Sequence, residues 1–307
     1  MTTPDLRVNI GGAMLKNPVL AASGTFGYGQ EFADFFDPAL LGAVVVKGLT
    51  LKPRPGNPPP RIVETPSGML NAIGMENVGL EVFLKDKLPW LVEHGVTVAA
   101  NILGETVEEY AALAEGLSKA PGVALIEVNV SCPNVAAGGM YFGADPKATA
   151  DVTRAVVRAA RRPVMVKLTP LVTDIVTVAQ AAVEAGADAL SLINTLPAMA
   201  VDLAGRRPVL ANTVGGLSGP AIRPVALRLV WQVARAVTVP VVGLGGIMTA
   251  RDALEFLLAG ARAVEVGTAS FVDPKAALKV LEGIEAYFLE HGIPDLDAFV
   301  GKLQTDW

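Results

Sequence analysis

The sequence predicts a (β/α)8 TIM barrel of the α/β class, and three observations carry the prediction. Short runs rich in β-branched and apolar residues recur eight times along 307 residues. They are apolar almost throughout rather than alternating, which suits strands of a parallel sheet buried on both faces. Between them lie stretches with helical spacing and charge on one side, several ending in glycine, the usual C-terminal stop of a helix. Eight strand–helix units in about 300 residues fit a closed barrel better than an open doubly wound sheet.

In chain order, residues 6–18 read as a small N-terminal hairpin around Gly11-Gly12, closing the bottom of the barrel. The eight strands are read at 19–23, 43–48, 97–102, 125–131, 164–168, 189–194, 240–244 and 263–267. The helical patterns between them include 107–119, 146–160, 174–185, 224–236 and 250–259. Glu-Ala-Gly-Ala-Asp (184–188) and Leu-Ala-Gly-Ala-Arg (258–262) supply the glycine stops. Three stretches exceed the bare repeat and read as long loop insertions after strands 2, 4 and 6. The first, 52–76, carries Lys-Pro-Arg-Pro-Gly-Asn-Pro-Pro-Pro-Arg and is too long for an ordinary βα loop. The second is 135–143, rich in glycine, and the third is 196–223. No stretch has the composition of a linker, so the chain reads as a single domain, 1–307.

Composition narrows the function. The chain is 51% hydrophobic, yet no apolar run reaches the roughly 18 residues that a membrane span needs. The N-terminal Met-Thr-Thr-Pro-Asp lacks the basic start and apolar stretch of a signal peptide. With a single cysteine, this points to the cytoplasm. A net charge of −5 and 6% aromatic residues argue against a nucleic-acid binder, which normally shows a clustered basic face. One cysteine cannot hold an iron–sulfur cluster or an all-cysteine zinc site, and the two histidines, His94 and His291, sit at helix positions far from the strand ends. No metal site is expected.

In a barrel of this kind chemistry gathers where the strands end. The first strand ends at Ser23-Gly24-Thr25, the second at Lys47-Gly48 and the fifth at Lys167. Lysine is rarely buried without a partner, so each needs an anion, an electron-rich ring or an internal salt bridge. Asn71, Asn101, Asn129, Asn134 and Asn194 converge on the same rim. Single asparagines at strand ends mostly form turns. Five together suit a ligand presenting N–H and C=O groups, because each amide both donates and accepts. Gly243-Leu-Gly245-Gly246 and Gly267-Thr268, with Ser218-Gly219-Pro220 before them, read as a phosphate cradle of backbone N–H groups. Phosphate on one side, with lysines and amides across the mouth, describes a flavin mononucleotide (FMN) lying over the barrel. No Gly-x-Gly-x-x-Gly turn opens a helix, so a dinucleotide fold is not expected. Cys132 lies in Glu-Val-Asn-Val-Ser-Cys-Pro-Asn (127–134), where Pro133 must end the strand. Alone, such a thiol reads first as a small buried hydrophobe, which is what a free cysteine usually is.

The motifs taken together resemble family 1 dihydroorotate dehydrogenases along essentially the whole chain. They are Ala-Ser-Gly-Thr-Phe-Gly-Tyr-Gly (22–29), Val-Lys-Gly (46–48), Pro-Ser-Gly-Met-Leu-Asn-Ala-Ile-Gly (66–74), Asn-Val-Ser-Cys-Pro-Asn (129–134), Ile-Asn-Thr (193–195), Gly-Gly-Leu-Ser-Gly-Pro (215–220) and Gly-Leu-Gly-Gly-Ile (243–247). Phe-Gly-Tyr-Gly and the proline-rich loop are most similar to the type 1B, NAD-linked catalytic subunit. The resemblance implies oxidation of (S)-dihydroorotate to orotate in pyrimidine biosynthesis. It also implies a partner subunit carrying FAD and [2Fe–2S], in a heterotetramer around a homodimer of this chain.

By the same resemblance Cys132 is the general base for the C5 proton, while hydride passes from C6 to flavin N5. Membrane-bound relatives use serine there. Residues 135–143 would be a lid over the substrate, or an ordinary exposed loop. Substrate contacts would come from Lys47, Asn71, Ala72, Ile73, Gly74, Met75, Asn129, Asn134, Asn194 and Thr195. FMN would be held by Ser23, Lys47, Gly48, Asn101, Asn129, Lys167, Ile193, Gly219, Gly245, Gly246, Gly267 and Thr268, with Lys167 near the N1–C2=O edge. Three alternatives stay open: a stand-alone type 1A enzyme using fumarate, a Schiff-base aldolase with Lys167 as nucleophile, and a catalytically silent scaffold for an electron-transfer partner.

Overall fold

Eight parallel strands close into a barrel: Val19–Ala21, Ala43–Val45, Val98–Ile102, Val123–Asn129, Val164–Leu168, Ala189–Leu192, Val241–Leu244 and Ala263–Val266. This computed structural model describes residues 3–131, 133–134 and 140–305. Cys132 and residues 135–139 of the expected lid lie outside the described residues, as does the side chain of Asn134. Each strand pairs with its sequence neighbour, and Val264 opposite Val19 closes the ring. The strands are buried along nearly their whole length, as the apolar runs require. Each fully buried Val, Leu or Ile in such a wall contributes about 1.5–3 kcal/mol by leaving water.

The helices follow from their caps. Thr106 accepts from Glu109 N at the start of Val107–Ser118, and Asp174 accepts from Val176 N at the start of Ile175–Glu184. Thr249 and Asp252 form a reciprocal capping box before Ala250–Leu258. The expected strand and helix positions agree with these elements to within a few residues at each end. A helical stretch that the periodicity did not reveal runs from Gly79 to Glu93. Its turn widens over Phe83–Lys87, just before Pro89, whose missing N–H cannot join the helical ladder. The hairpin of Val8–Ile10 and Ala13–Leu15 lies at the N-terminal end of the barrel, with Gly11 packed on Asp188 at the foot of the sixth strand.

The insertions after strands 2 and 6 carry strands of their own. They build one four-stranded antiparallel sheet in the order Leu196–Ala198, Gly215–Ser218, Gly68–Asn71, Ile62–Thr65. Gly216 pairs with Asn71 and Leu217 with Leu70, so two segments 145 residues apart are welded over the C-terminal mouth. The proline-rich stretch is tied in by main-chain bonds: Arg54 N to Asn77 O (2.9 Å), Asn57 N to Ile73 O (2.9 Å) and Ala72 N to Arg61 O (2.8 Å). The insertions stand where they are expected, after strands 2 and 6, and carry paired strands that the sequence did not reveal. Their glycines and prolines break period-2 patterning, and the pairing is long-range. After the fourth strand, Pro133–Asn134 pairs with Met140–Tyr141.

Candidate active site

The strand ends and the added sheet enclose a cavity of about 630 Å³ at the C-terminal mouth. Every expected site residue whose side chain is described lines it. Lys47, Asn71, Ala72, Ile73, Gly74, Met75, Asn129, Asn194 and Thr195 stand with Ser23, Gly48, Asn101, Lys167, Ile193, Gly219, Gly245, Gly246, Gly267 and Thr268. Cys132 and the Asn134 side chain are the two expected groups outside the described residues.

The amide wall is organised before any ligand arrives. Asn194 Nδ2 donates to Asn129 Oδ1 at 3.1 Å, and Ser131 N donates to the same oxygen at 3.0 Å. Tyr110 Oη donates to Asn129 O at 2.7 Å, fixing the strand end from behind. Thr195 N donates to Asn194 Oδ1 at 2.8 Å. Asn71 Nδ2 reaches Gly216 O at only 3.5 Å, a weak bond that leaves the amide available to a ligand. Lys47 stands half-buried on this wall. Burial pushes its ammonium below the ordinary lysine range, against the opposing pull of Glu76. Glu76 is ion-paired with Arg61 at the rim. A desolvated cation beside several amides is suited to a small planar anion with N–H and C=O edges.

The opposite side is built from backbone. Gly219, Gly245 and Gly246 have φ of +90°, +121° and +80°. A Cβ on Gly246 would come within 2.7 Å of both Gly219 O and Arg223 Cβ, so only glycine lets these two segments approach. Thr268 Oγ1 donates to Ser218 Oγ at 2.8 Å, joining the eighth strand end to the added sheet.

The floor holds a charged cluster that the strand-end survey missed. Lys167 Nζ lies 3.3 Å from Glu265 Oε2, 3.6 Å from Glu127 Oε2 and 3.4 Å from Ser23 Oγ. Ser191 Oγ and Asn101 Nδ2 both donate to Glu127. The lysine, whose ion-pair explanation was one of those left open, therefore has two carboxyl partners and still borders the cavity. The acids were detectable: Ile-Glu-Val (126–128) and Val-Glu-Val (264–266) each put one glutamate inside a fully apolar strand. The two carboxyl groups hold the Lys167 ammonium above its ordinary pKa despite burial. A Schiff-base nucleophile must be the neutral amine, so this environment disfavours the aldolase alternative.

A flavin mononucleotide fits this cavity on two structural grounds. Asn101 lines the cavity, and its buried Oδ1 has no hydrogen-bond partner, which leaves an acceptor for a ring N–H. Gly219, Gly245 and Gly246 line the cavity with backbone alone, the kind of surface that can cradle a phosphate. Among the described residues, no group of three His, Cys, Asp or Glu side chains could hold a metal ion. No helix among them is long and apolar enough to cross a membrane.

Residues 5–288 match the family model described as dihydroorotate dehydrogenase. The chain is 59% identical over 305 residues to a protein of Geotalea uraniireducens named dihydroorotate dehydrogenase B (NAD(+)), catalytic subunit, covering 99% of this chain and 100% of the relative. A Pelobacter propionicus protein of the same name is 59% identical over 301 residues, 98% of this chain and 99% of the relative. One from Geobacter sulfurreducens is 57% identical over 305 residues, 99% of this chain and 100% of the relative.

Proposed function

Because this chain belongs to the dihydroorotate dehydrogenase family, we infer that it oxidises dihydroorotate to orotate in pyrimidine biosynthesis, as the catalytic subunit of an NAD+-linked enzyme. The observation that supports this reading most directly is the single cavity in which the amides, two lysines and the glycine cradle meet. The stand-alone fumarate-using reading and the silent scaffold lose ground to full-length relatives that carry the NAD-linked name.

FMN is the cofactor, and when bound it supplies the acceptor for the hydride leaving C6 of the substrate. The chain's own residues do the rest. Lys47 would neutralise the substrate carboxylate. Asn71, Asn129, Asn134, Asn194 and Thr195, with the backbone of Ala72, Ile73, Gly74 and Met75, would pair the N–H and C=O groups of the ring. Left unpaired in the closed site, each such group would cost about 1–3 kcal/mol. Cys132 Sγ would take the C5 proton; an unperturbed thiol pKa of about 8.5 puts a usable thiolate fraction near neutral pH. Ser23, Lys47, Gly48, Asn101, Asn129, Lys167 and Ile193 would hold the flavin ring and ribityl side. Gly219, Gly245, Gly246, Gly267 and Thr268 would hold the phosphate.

With one cysteine this chain has no ligand set for an iron–sulfur cluster, so FAD and [2Fe–2S] belong to a separate electron-transfer subunit. We place the activity on one barrel domain, 1–307, in a cytoplasmic heterotetramer of two catalytic and two electron-transfer chains around a homodimer of this one. The test is anaerobic. The FMN-loaded chain should bleach on adding dihydroorotate and form one orotate per flavin. It should reduce NAD+ only once the electron-transfer subunit is added. Rapid turnover of the isolated chain with fumarate would overturn the NAD-linked assignment, and failure to bleach would overturn the reaction itself.

A further inference from the structure

Glu265 borders the cavity floor and Glu127 lies just beneath it, each one inward step below the strand ends at Gly267 and Asn129. Their relative exposures are 0% and 1%, and that of Lys167 between them is 4%, so water screens none of the three. Two ionised carboxylates against one ammonium would leave a net negative charge in an apolar barrel, which is costly. The hydrogen bonds break the symmetry. Glu127 accepts from Ser191 and from Asn101 and is ion-paired with Lys167 at 3.6 Å. Glu265 has Lys167 on Oε2 alone, and its buried Oε1 has no partner. A proton on Glu265 relieves the cluster, because the acid can then donate to the neighbouring Glu127 carboxyl group. The charged groups facing Glu265 are Glu127 and Lys167. The residues beside it on the flanking strands, Leu20 and Leu244, are apolar.

We propose that Glu127 and Glu265 hold one proton between them, carried on Glu265, and that this buried acid sets the charge Lys167 presents to the flavin site above. Glu265 is then a positioning residue acting through Lys167, an inference that rests on the flavin reading of the cavity. With the proton in place the floor is neutral, one ammonium against one carboxylate. Without it the floor is negative beneath a ring that itself gains negative charge on reduction. The electrostatics agree in direction. Burial and the neighbouring Glu127 carboxylate raise Glu265 well above an ordinary glutamate, with Lys167 opposing. Lys167 and the donors around Glu127 hold that carboxyl below its ordinary value against the effect of burial.

Infrared spectroscopy of the FMN-free chain at neutral pH tests the proton directly. The wild type should show the carbonyl stretch of a buried, protonated carboxylic acid. Glu265→Gln and Glu127→Gln should each abolish it, since either change leaves a single carboxylate against Lys167. A wild type without the band, or a band that survives both substitutions, overturns the shared proton. The wild-type band alone decides the point if a variant fails to fold. FMN titration of the apoprotein by calorimetry separates the flavin reading: absence of binding overturns that reading whatever the band shows. In the loaded protein, the flavin midpoint potential of the wild type should bend downward as pH rises through the Glu265 titration, and Glu265→Gln should lack that bend. Identical pH profiles would overturn the positioning role and leave the shared proton standing.

Discussion

Lys167 Nζ stands 3.6 Å from Glu127 Oε2 in the barrel floor, with the two side chains 5% and 0% exposed. A pair this deep contributes little by existing and much by not being broken, because removing one partner strands the other charge in an apolar medium. Lys167→Met should therefore destabilise the chain at neutral pH by about 3–5 kcal/mol in urea unfolding. The loss should shrink under acid, where the stranded carboxyls take up protons. Adding Glu127→Gln to Lys167→Met should recover part of it. A loss below about 1 kcal/mol at neutral pH, the range of an exposed pair, would mean that water reaches the cluster.

In the proposed function Lys47 would be the cation on the substrate side, and its burial would give orotate binding a pH dependence of known sign. The ammonium is held below the ordinary lysine range, so the proton is lost at lower pH than from a solvated lysine. An anionic ligand needs that proton. Orotate affinity of the FMN-loaded chain should be flat near neutrality and fall as pH rises through the lowered pKa. Lys47→Ala should weaken orotate by about 1.5–3 kcal/mol, on the order of 10–100-fold in Kd, and flatten the profile. Calorimetric titration across the alkaline range checks both. An unchanged alkaline limb in the variant would assign the titration to another group.

Gly246 tests the cradle. Its φ of +80° and the 2.7 Å from a built Cβ to Gly219 O leave no room for alanine without moving backbone. Gly246→Ala should cost about 1–3 kcal/mol of stability from the dihedral alone. It should also weaken FMN disproportionately, since the phosphate-facing amides shift. Gly260 has φ of +117° in a helix-to-strand turn at the far end of the barrel and serves as the control. Gly260→Ala should lose comparable stability while keeping FMN affinity. Equal losses of FMN affinity in both would mean a global effect rather than a cradle.

What could be read from the chain followed what is local. The eight apolar strands and the helix caps rest on runs of three to fifteen residues, so their positions agree with the structure to within a few residues. Lys47, Asn101, Lys167 and Gly245 were found because barrel chemistry sits at strand ends, a rule needing only the strand positions. The pairing of Gly68–Asn71 with Gly215–Ser218 was invisible because it joins segments about 145 residues apart with no alternating pattern. Glu127 and Glu265 were passed over for a different reason. Each stands one inward step below the strand end, in a floor layer that the strand-end rule does not cover. An acid inside an apolar strand was the signal that should have prompted the search.

In the proposed function Cys132 would carry the chemistry that the amide wall and the flavin site serve. Its strand leads into it through Asn129, whose side chain is held by Asn194 and Ser131 and whose carbonyl is held by Tyr110. Those bonds do not involve the thiol. Cys132→Ala should therefore leave FMN and orotate affinities near the wild type. Flavin reduction by dihydroorotate, followed by stopped-flow absorbance, should fall by about 10²–10⁴-fold, the usual worth of a positioned base. Cys132→Ser keeps a proton acceptor of higher pKa at the same atom, so its reduction rate should lie between the two and climb with pH further into the alkaline range. If Cys132→Ala reduced the flavin at close to the wild-type rate, the C5 proton would have to leave to another group on the cavity wall.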